Sequence, residues 1–251
     1  MMERWKGRVA LVTGASSGIG HATARQLAAD GMRVVVTARR GPALEALAAE
    51  CDEGQVLPVQ ADLRDPAQIG TLFETVRDRW GGVDVMVNNA GVGRRMPLTS
   101  ADPAAVDAWR EMLEVNVLAL CLCTREAVRD MRERGDDGHV VHISSMAAHR
   151  VPPGSGVYSA SKYAVRSLTE GLRRELRELG SGIRVTAVSP GFVETEFHAG
   201  YHGSEERARE VYARLKVLEP DDVAASVRHA LSAPSHVQVH DILMRPTDQE
   251  T

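Results

Sequence analysis

Three polar residues in the second half of the chain have types and spacing suited to proton transfer. Tyr158 and Lys162 are four positions apart, so in a helix their side chains project from one face. An ammonium group beside a phenol favours the phenolate, which predicts a lowered pKa for Tyr158. Ser145, at the end of a predicted strand, can hydrogen-bond and orient a substrate oxygen. The trio predicts a centre in which Tyr158 exchanges a proton with a carbonyl or alcohol oxygen.

A glycine-rich turn near the start of the chain predicts a phosphate-binding site. The apolar run Val9 to Thr13 is followed by Gly14, Gly18 and Gly20, and then by a helical pattern. Free N–H groups and the helix dipole at such a turn favour an anion, and glycine lets a pyrophosphate approach closely. The spacing differs from the GxGxxG form, so the prediction depends on the strand–turn–helix context. The alternative is a glycine-rich turn without a ligand.

The end of the second predicted strand indicates which dinucleotide binds. NAD-binding domains place an acidic residue here for the ribose hydroxyls, whereas this chain has Ala38 followed by Arg39 and Arg40. A guanidinium group can bind a 2′-phosphate through paired hydrogen bonds. We therefore predict NADP(H) rather than NAD(H), with Arg39 as the main contact and Arg40 as the second. The alternative is that both arginines are solvated.

Two further loops are expected to contact the adenosine part of the cofactor. Asp62 follows the third predicted strand and can accept a hydrogen bond from the adenine amine, with Leu63 packing nearby. Asp62 alternatively caps a turn. Asn89, Ala90 and Gly91 follow the fourth strand, where small residues permit close approach and Asn89 has the more structural role.

Short apolar runs alternate with helical patterns along the chain, and this predicts the fold class. Strands are predicted at residues 9–13, 34–36, 56–60, 83–87, 140–143, 184–188 and 237–243, and a long helical pattern with an interruption at 104–134. Such runs are typical of buried parallel strands. We predict an α/β protein, a single doubly wound Rossmann domain over 1–251 with a seven-stranded parallel sheet and helices on both faces. Residues 192–218 interrupt the alternation of strands and helices, and they are predicted to form a substrate-binding insertion.

Composition excludes several classes of protein. The 251 residues carry a net charge of −4, which gives no signal for nucleic acid, and no apolar run approaches the length of a membrane helix. Cys51, Cys121 and Cys123 form no disulfide framework, so a cytoplasmic setting is expected. The histidine pairs 198/202 and 236/240 lack a third ligand, so no metal site is predicted.

The motifs together resemble the short-chain dehydrogenase/reductase family. They are TGxxxGxG at 13–20, NNAG at 88–91, Asn116, Ser145, YSASK at 158–162, and Pro190-Gly191 followed by Thr195. They follow one another over essentially the whole chain. The sequence is similar in particular to an NADP-dependent carbonyl and ketosteroid reductase branch of the family.

The resemblance implies roles for individual residues. Tyr158 is the acid/base, Lys162 lowers its pKa and binds the nicotinamide ribose, and Ser145 steadies the substrate oxygen. Asn116 holds a bend in the long helical segment and supports a water-linked proton relay through Lys162. Further implied cofactor contacts are Ser16, Ser17, Ile19, Pro190, Gly191, Val193 and Thr195. By their positions alone, and not from the resemblance, His149, Phe192 and Tyr201 are candidate substrate contacts, and support of its own loop is the alternative role of His149.

The resulting prediction is an NADP(H)-dependent oxidoreductase acting on a small-molecule ketone, aldehyde or secondary alcohol, in the reductive direction. The family resemblance implies a homotetramer, with a homodimer as the alternative. Two other functions stay open. One is an NADP-linked hydroxy-acid or other alcohol dehydrogenase working oxidatively. The other is a cofactor-binding regulator without turnover.

Overall fold

Seven parallel strands form one sheet at the centre of the fold. The computed structural model describes residues 2–214 and 216–249, apart from the side chains of residues 207, 208, 210, 211 and 214. The strands are β1 (Val9–Thr13), β2 (Arg33–Ala38), β3 (Val56–Gln60), β4 (Val85–Asn88), β5 (His139–Ile143), β6 (Arg184–Pro190) and β7 (Asp241–Met244). Their spatial order is β3-β2-β1-β4-β5-β6-β7. The predicted seven-stranded parallel sheet is confirmed.

Helices cover both faces of this sheet. They are α1 (Gly18–Ala29), α2 (Gly41–Ala49), α3 (Pro66–Trp80), α4 (Ala105–Leu113), α5 (Leu120–Glu133), α6 (Gly156–Glu178), α7 (Phe197–His202), α8 (Glu205–Arg214) and α9 (Pro220–Ser232). Apolar side chains of α1, α2 and α9, such as Leu27, Leu44 and Val227, pack on one face. Side chains of α3 and α5, such as Phe73 and Ala127, pack on the other. The strands are apolar on both sides because both sides are covered.

The direction of winding reverses at β1. The chain moves outward from β1 to β3, returns to pair β4 with β1, and then moves outward to β7. A crevice opens where neighbouring strands connect in opposite directions, and in parallel sheets it lies beyond their carboxyl ends. The fold therefore places a binding crevice beside the glycine turn that follows β1.

The structure defines three of the predicted segments more closely. The strand predicted at 237–243 begins only at residue 241, because the Gln238 side chain donates to the Val185 and Val239 carbonyls where a strand ladder would have continued. The helical pattern at 104–134 divides into α4, a π-helical segment Glu114–Ala119 and α5. The predicted insertion at 192–218 contains α7 and α8, and its residue 215 lies outside the described residues. No helix in the described ranges is long and apolar enough to cross a membrane.

Candidate active site

A cleft of about 990 Å³ lies at the carboxyl end of the sheet. Its walls come from the loops after β1, β2, β3, β4, β5 and β6 and from α7. Predicted cofactor residues that line it are Gly14, Ser16, Ser17, Ile19, Arg39, Arg40, Asp62, Leu63, Asn89, Ala90, Gly91, Tyr158, Lys162, Pro190, Gly191, Val193 and Thr195. The tertiary structure thus gathers segments that lie far apart in sequence.

Close packing explains the glycines of the first turn. Gly14 has φ +66°, and a Cβ there would lie 2.8 Å from the Cα of Ala90. Gly18 has φ +57°, and a Cβ there would lie 2.9 Å from Cγ2 of Thr195. Gly20 has no room for a Cβ because Asn89 Nδ2 and the Gly14 carbonyl occupy that space. Gly18 and Gly20 therefore shape the turn from behind without lining the cleft.

The loop after β4 is fastened to this turn by two side chains. Asn89 Nδ2 donates to the carbonyl oxygens of Thr13 at 2.9 Å and Gly14 at 3.2 Å. In return, the backbone N–H groups of Asn89 and Ala90 donate to Thr13 Oγ1, both at 3.0 Å. The structural role expected for Asn89 agrees with these bonds, which hold the turn open toward the cleft.

Arg39 and Arg40 both reach the adenosine end of the cleft, but in different ways. Arg40 Nη2 donates to Ser17 Oγ at 2.8 Å and pairs with Glu196 Oε2 at 2.8 Å. Arg39 Nη1 is 3.7 Å from Glu111 Oε1, and its side chain is more than half exposed. Arg40 therefore lies against the phosphate-binding turn, while Arg39 is the freer guanidinium group at the same end.

The third-strand loop supplies an acidic and an apolar group. Asp62 accepts two hydrogen bonds from Arg64 Nε, each 3.0 Å long, and a third from the Arg64 backbone at 3.1 Å. The Arg64 hydrogen bonds hold the pKa of Asp62 below its usual range. Asp62 and Leu63 both line the cleft. Asp62 therefore offers a negatively charged hydrogen-bond acceptor to the cleft. Part of its hydrogen-bonding capacity is used by its own turn, as the turn-capping alternative predicted.

Asn116 lies inside the π-helical segment between α4 and α5. Its side chain accepts from Val92 N at 2.8 Å and donates to the Val92 carbonyl at 2.8 Å and to Ser161 Oγ at 3.0 Å. A Cβ on Gly91 would lie 3.4 Å from Asn116 Oδ1 and 3.6 Å from Lys162 Nζ. Asn116 thus joins the bend to the loop after β4 and to α6, close to Lys162.

Burial dominates the electrostatics of the acid–base trio. Burial raises the pKa of Tyr158 to about 12, and a side-chain hydrogen bond with Ser145 opposes this rise. Burial lowers the pKa of Lys162 to about 8, and its Nζ donates to the Ile143 carbonyl at 3.0 Å. Loss of hydration on burial is the largest influence on the Tyr158 pKa, and a lowering of this pKa by Lys162 stays a prediction. Tyr158 is a neutral phenol at physiological pH.

Aromatic rings of α7 cover Tyr158. The Tyr158 ring is 5.5 Å from that of Phe197 and 5.7 Å from that of Tyr201, measured between centroids. Phe192 and Tyr201, both predicted substrate contacts, line the cleft. Tyr212 of α8 holds the preceding loop by donating to the Thr195 carbonyl at 2.8 Å. The insertion therefore places an apolar surface over Tyr158.

His149 points away from the cleft it was predicted to border. Its Nε2 is 3.1 Å from Asp241 Oδ2 and 3.4 Å from Ser189 Oγ, and it is absent from the cleft walls. The imidazole joins the loop after β5 to β7, since a half-buried carboxylate is a better partner than an apolar wall. Arg150, the next residue, lines the cleft instead.

Several site residues carried no local sequence signal. Glu111 and Glu196 pair with cleft arginines, and Gln249 lines the cleft and accepts from Phe192 N at 3.0 Å. Each lies far in sequence from the motif that it serves, so only the fold brings them together. Among the described residues, no group of three His, Cys, Asp or Glu side chains is arranged to hold a metal ion.

The geometry agrees with comparisons to known proteins. A family model described as short chain dehydrogenase matches residues 8–206. The Bos taurus protein named dehydrogenase/reductase SDR family member 11 is 51% identical over the full length of both chains. The Aedes aegypti farnesol dehydrogenase is 42% identical, with 99% of this chain and 100% of the other covered.

A solved structure extends the agreement to the backbone. The closed form of a serine dehydrogenase complexed with NADP⁺ superposes with a TM-score of 0.90 at 32% identity, covering 97% of this chain and 96% of that one. The family model and the similarity to known proteins show that the chain belongs to the short-chain dehydrogenase/reductase family.

Proposed function

We propose that this chain is an NADP(H)-dependent oxidoreductase that moves a hydride between the nicotinamide and a ketone, aldehyde or secondary alcohol. The observation that carries the proposal is the position of Tyr158, a buried neutral phenol hydrogen-bonded to Ser145 in the cleft that the glycine turn also lines. A phenol in that state can donate a proton to a reduced carbonyl oxygen.

The residues of the cleft fit an NADP(H) molecule. Gly14 lines the cleft without a side chain that would block a pyrophosphate, and Arg39 and Arg40 supply guanidinium groups for a 2′-phosphate. Asp62 and Leu63 are available for the adenine. The solved serine dehydrogenase, similar over nearly its whole length, was complexed with NADP⁺. When bound, the cofactor supplies or accepts the hydride on its nicotinamide ring.

In the proposed mechanism, Ser145 and Tyr158 share the substrate oxygen. Ser145 orients it by a hydrogen bond, while Tyr158 donates its proton in reduction and accepts one in oxidation. Lys162 lies near Gly91 and carries a positive charge below about pH 8, which suits it to bind a ribose hydroxyl and to stabilise a phenolate formed during turnover. Asn116 positions the loop and helix that hold these groups.

Purified protein titrated with NADPH and NADH, then assayed by nicotinamide absorbance on carbonyl and alcohol panels, tests the proposal. We expect tighter NADPH binding, turnover of carbonyls, and a loss of about 100- to 10,000-fold in kcat in Tyr158→Phe. Undiminished turnover in Tyr158→Phe would contradict the proposed proton transfer by Tyr158. Cofactor binding with no turnover on either panel would identify a regulator instead.

Oxidation of a hydroxy acid or another alcohol is the second candidate reaction. It is supported by the 32% identity to a serine dehydrogenase and by the arginines in the cleft. The alcohol panel with NADP⁺ separates it from carbonyl reduction, because the preferred direction is the one with the higher kcat/KM at neutral pH.

We further propose a homotetramer, with a homodimer as the alternative, in a cytoplasmic setting. Exposed apolar side chains on α4, the π-helical segment, α6 and the edge strand β7 support assembly: Leu113, Leu118, Tyr163 and Leu243. Cys51, Cys121 and Cys123 are all free thiols, which suits a reducing compartment. Light scattering after size-exclusion chromatography measures the molar mass of the assembly. The mass of a monomer would contradict the proposed homotetramer and homodimer.

A further inference from the structure

Two arginine side chains at the substrate end of the cleft have no acidic partner. Arg95 lies in the loop after β4 and Arg150 in the loop after β5, and both line the cleft. The other cleft arginines are paired: Arg40 with Glu196, and Arg39 and Arg94 with Glu111. Within residues 2–214 and 216–249, no ion pair or side-chain hydrogen bond engages either guanidinium group.

Arg95 lies close to the catalytic tyrosine. Its Nε is 3.1 Å from the position of a Cβ on Gly154, so the guanidinium group extends over the loop that leads into α6. Its charge lowers the pKa of Tyr201 against the stronger effect of burial. The Tyr201 ring packs edge-on against Tyr158 at 5.7 Å. The backbone N–H of Arg95 donates to the Tyr201 carbonyl at 2.9 Å, so Tyr201 contacts both Arg95 and Tyr158.

Arg150 has a donor that the protein leaves unused. Its Nε is buried and has no hydrogen-bond acceptor. A buried N–H of a charged group without an acceptor destabilises the folded state, so such groups are nearly always paired. An acceptor supplied by a bound molecule in the adjoining cleft would satisfy it. The phosphates of a dinucleotide are accounted for at the opposite end, by the glycine turn and Arg40.

We infer that the substrate carries a carboxylate, bound by Arg150 and Arg95 while its carbonyl or hydroxyl group lies at Tyr158. A guanidinium group matches a carboxylate with two parallel hydrogen bonds, which makes arginine well suited to this contact. Phe197 and Tyr201 then pack against the carbon chain between the two groups. This inference rests on the proposed function and narrows its substrates to oxo acids and hydroxy acids.

The test compares each acid with its uncharged methyl ester. The substrates are 2-oxobutanoate, 3-oxobutanoate and 4-oxopentanoate and their esters, assayed with NADPH. We expect the wild type to favour the acid by about tenfold or more in kcat/KM for at least one chain length. Arg150→Met and Arg95→Met should each lower that acid-to-ester ratio about tenfold, mainly through KM. Arg33→Met, an exposed change at the opposite end of β2, is the matched control and should keep the wild-type ratio.

Two results would overturn the inference: a wild type that favours the ester at every chain length, or a ratio that is unchanged in both variants. Thermal unfolding with NADP⁺ and each acid provides a readout independent of turnover. The preferred acid should raise Tm in the wild type and in Arg33→Met but not in Arg150→Met. If neither acid nor ester is turned over, the proposed function fails, and the Tm shift alone decides whether the carboxylate binds. If Arg150→Met does not fold, Arg150→Gln and Arg95→Met give the same comparison.

Discussion

At the catalytic tyrosine, loss of hydration and a neighbouring hydroxyl act in opposite directions. Burial raises the pKa of Tyr158 to about 12, and Ser145 lowers it. The protonated phenol needed for reduction is therefore present at every ordinary pH, whereas the phenolate needed for oxidation is scarce. This favours the reductive direction near neutrality and gives the two directions different pH dependences.

Alcohol oxidation should accelerate with pH up to about pH 8, because the phenolate fraction of Tyr158 keeps rising below a pKa of about 12, and should flatten above pH 8, where Lys162 loses the charge that stabilises the phenolate. In Ser145→Ala, the bond that lowers this pKa is absent, so the rising limb should move to higher pH. Rate against pH in the oxidative direction, with saturating NADP⁺, measures both. A plateau near pH 7 would contradict the assignment of a neutral phenol.

Arg39 and Arg40 should determine the cofactor preference. Charge reversal in Arg39→Glu or Arg40→Glu places a carboxylate where the 2′-phosphate would bind, and we expect the NADPH-to-NADH ratio of Kd values to change by about 10- to 100-fold toward NADH. Arg40→Glu should also remove two contacts within the protein, because Arg40 bonds to Ser17 and pairs with Glu196. Arg33→Glu, at an exposed position outside the cleft walls, controls for net charge. An unchanged NADPH-to-NADH ratio of Kd values in both variants would contradict the proposed preference for NADP(H).

At the scale of elements, the π-helical segment connects three parts of the site. Asn116 bonds to the loop after β4 and to Ser161 in α6, and all three of its bonds are with buried or half-buried groups. Regular α-helical geometry continues on both sides, in α4 and α5. Local widening of a helix is common at functional sites, and here it lets one side chain join the loop beside Gly91 to the helix of Tyr158.

Asn116→Ala should leave the Val92 amide without its partners and lower the free energy of unfolding by about 1–3 kcal/mol. Activity should fall as well, because the loop next to Lys162 loses its anchor. Leu118→Ala, in the same segment but half-exposed, is the control and should cost less. Urea unfolding and kcat measure the two effects; equal stability in both variants would contradict the anchoring role.

Strand β5 carries a buried histidine that makes the fold sensitive to acid. His142 bonds to Thr169 Oγ1 at 2.9 Å and Thr124 Oγ1 at 3.3 Å, and burial lowers its pKa to about 3. Since the unfolded chain binds this proton with a pKa near 6.5, the unfolded state gains protons first as pH falls. The stability is complete above about pH 6.5 and declines from there toward pH 3.

His142→Gln should remove this part of the acid sensitivity. In the wild type, His142 accounts for a loss of up to about 1.4 kcal/mol per pH unit below pH 6.5, and His139, whose pKa burial also lowers, adds to it. Urea unfolding at pH 7, 6 and 5 should give a shallower slope in His142→Gln and an unchanged slope in His229→Gln, an exposed position on α9. Identical slopes in all three proteins would contradict this account.

On the scale of the whole molecule, the two ends of the sheet differ in the side chains that they carry. The carboxyl end carries the cleft, and the amino end carries an ion-pair network around Asp84. Asp84 is buried, accepts from Val9 N at 2.8 Å, and pairs with Arg8 at 3.1 Å and Arg134 at 3.2 Å. These bonds hold the starts of β1 and β4 to α5 without touching the cleft.

Asp84→Ala should therefore destabilise the protein while leaving catalysis intact. Loss of a buried carboxylate leaves the Val9 amide and the Arg134 guanidinium group without their acceptor, while Arg8 keeps Asp137, and we expect a cost of about 2–3 kcal/mol. We expect a lower Tm and an unchanged kcat at 25 °C. Asp107→Ala, on the surface of α4, should change stability by less than about 0.5 kcal/mol. A fall in kcat without a fall in Tm would show that the two ends are coupled.

Local features made much of this molecule predictable. The strand and helix patterns, the glycine turn, and the four-residue step from Tyr158 to Lys162 depend on neighbours within one or two turns of chain, so they can be read directly. The strand predicted at 237–243 was placed too early because the bonds of Gln238 that replace the ladder come from a side chain. Periodicity carries no information about such side-chain bonds.

The sequence by itself determined the fold class and the family, and it predicted which groups exchange a proton. Only the tertiary structure decided the electrostatic state of these groups and their partners. Tyr158 is buried beneath α7, and this burial is the largest influence on its pKa. The same folding turns His149 toward Asp241 and leaves Arg150 in the cleft. Desolvation and ion pairing depend on what distant segments place around a group, which the spacing of a motif does not encode.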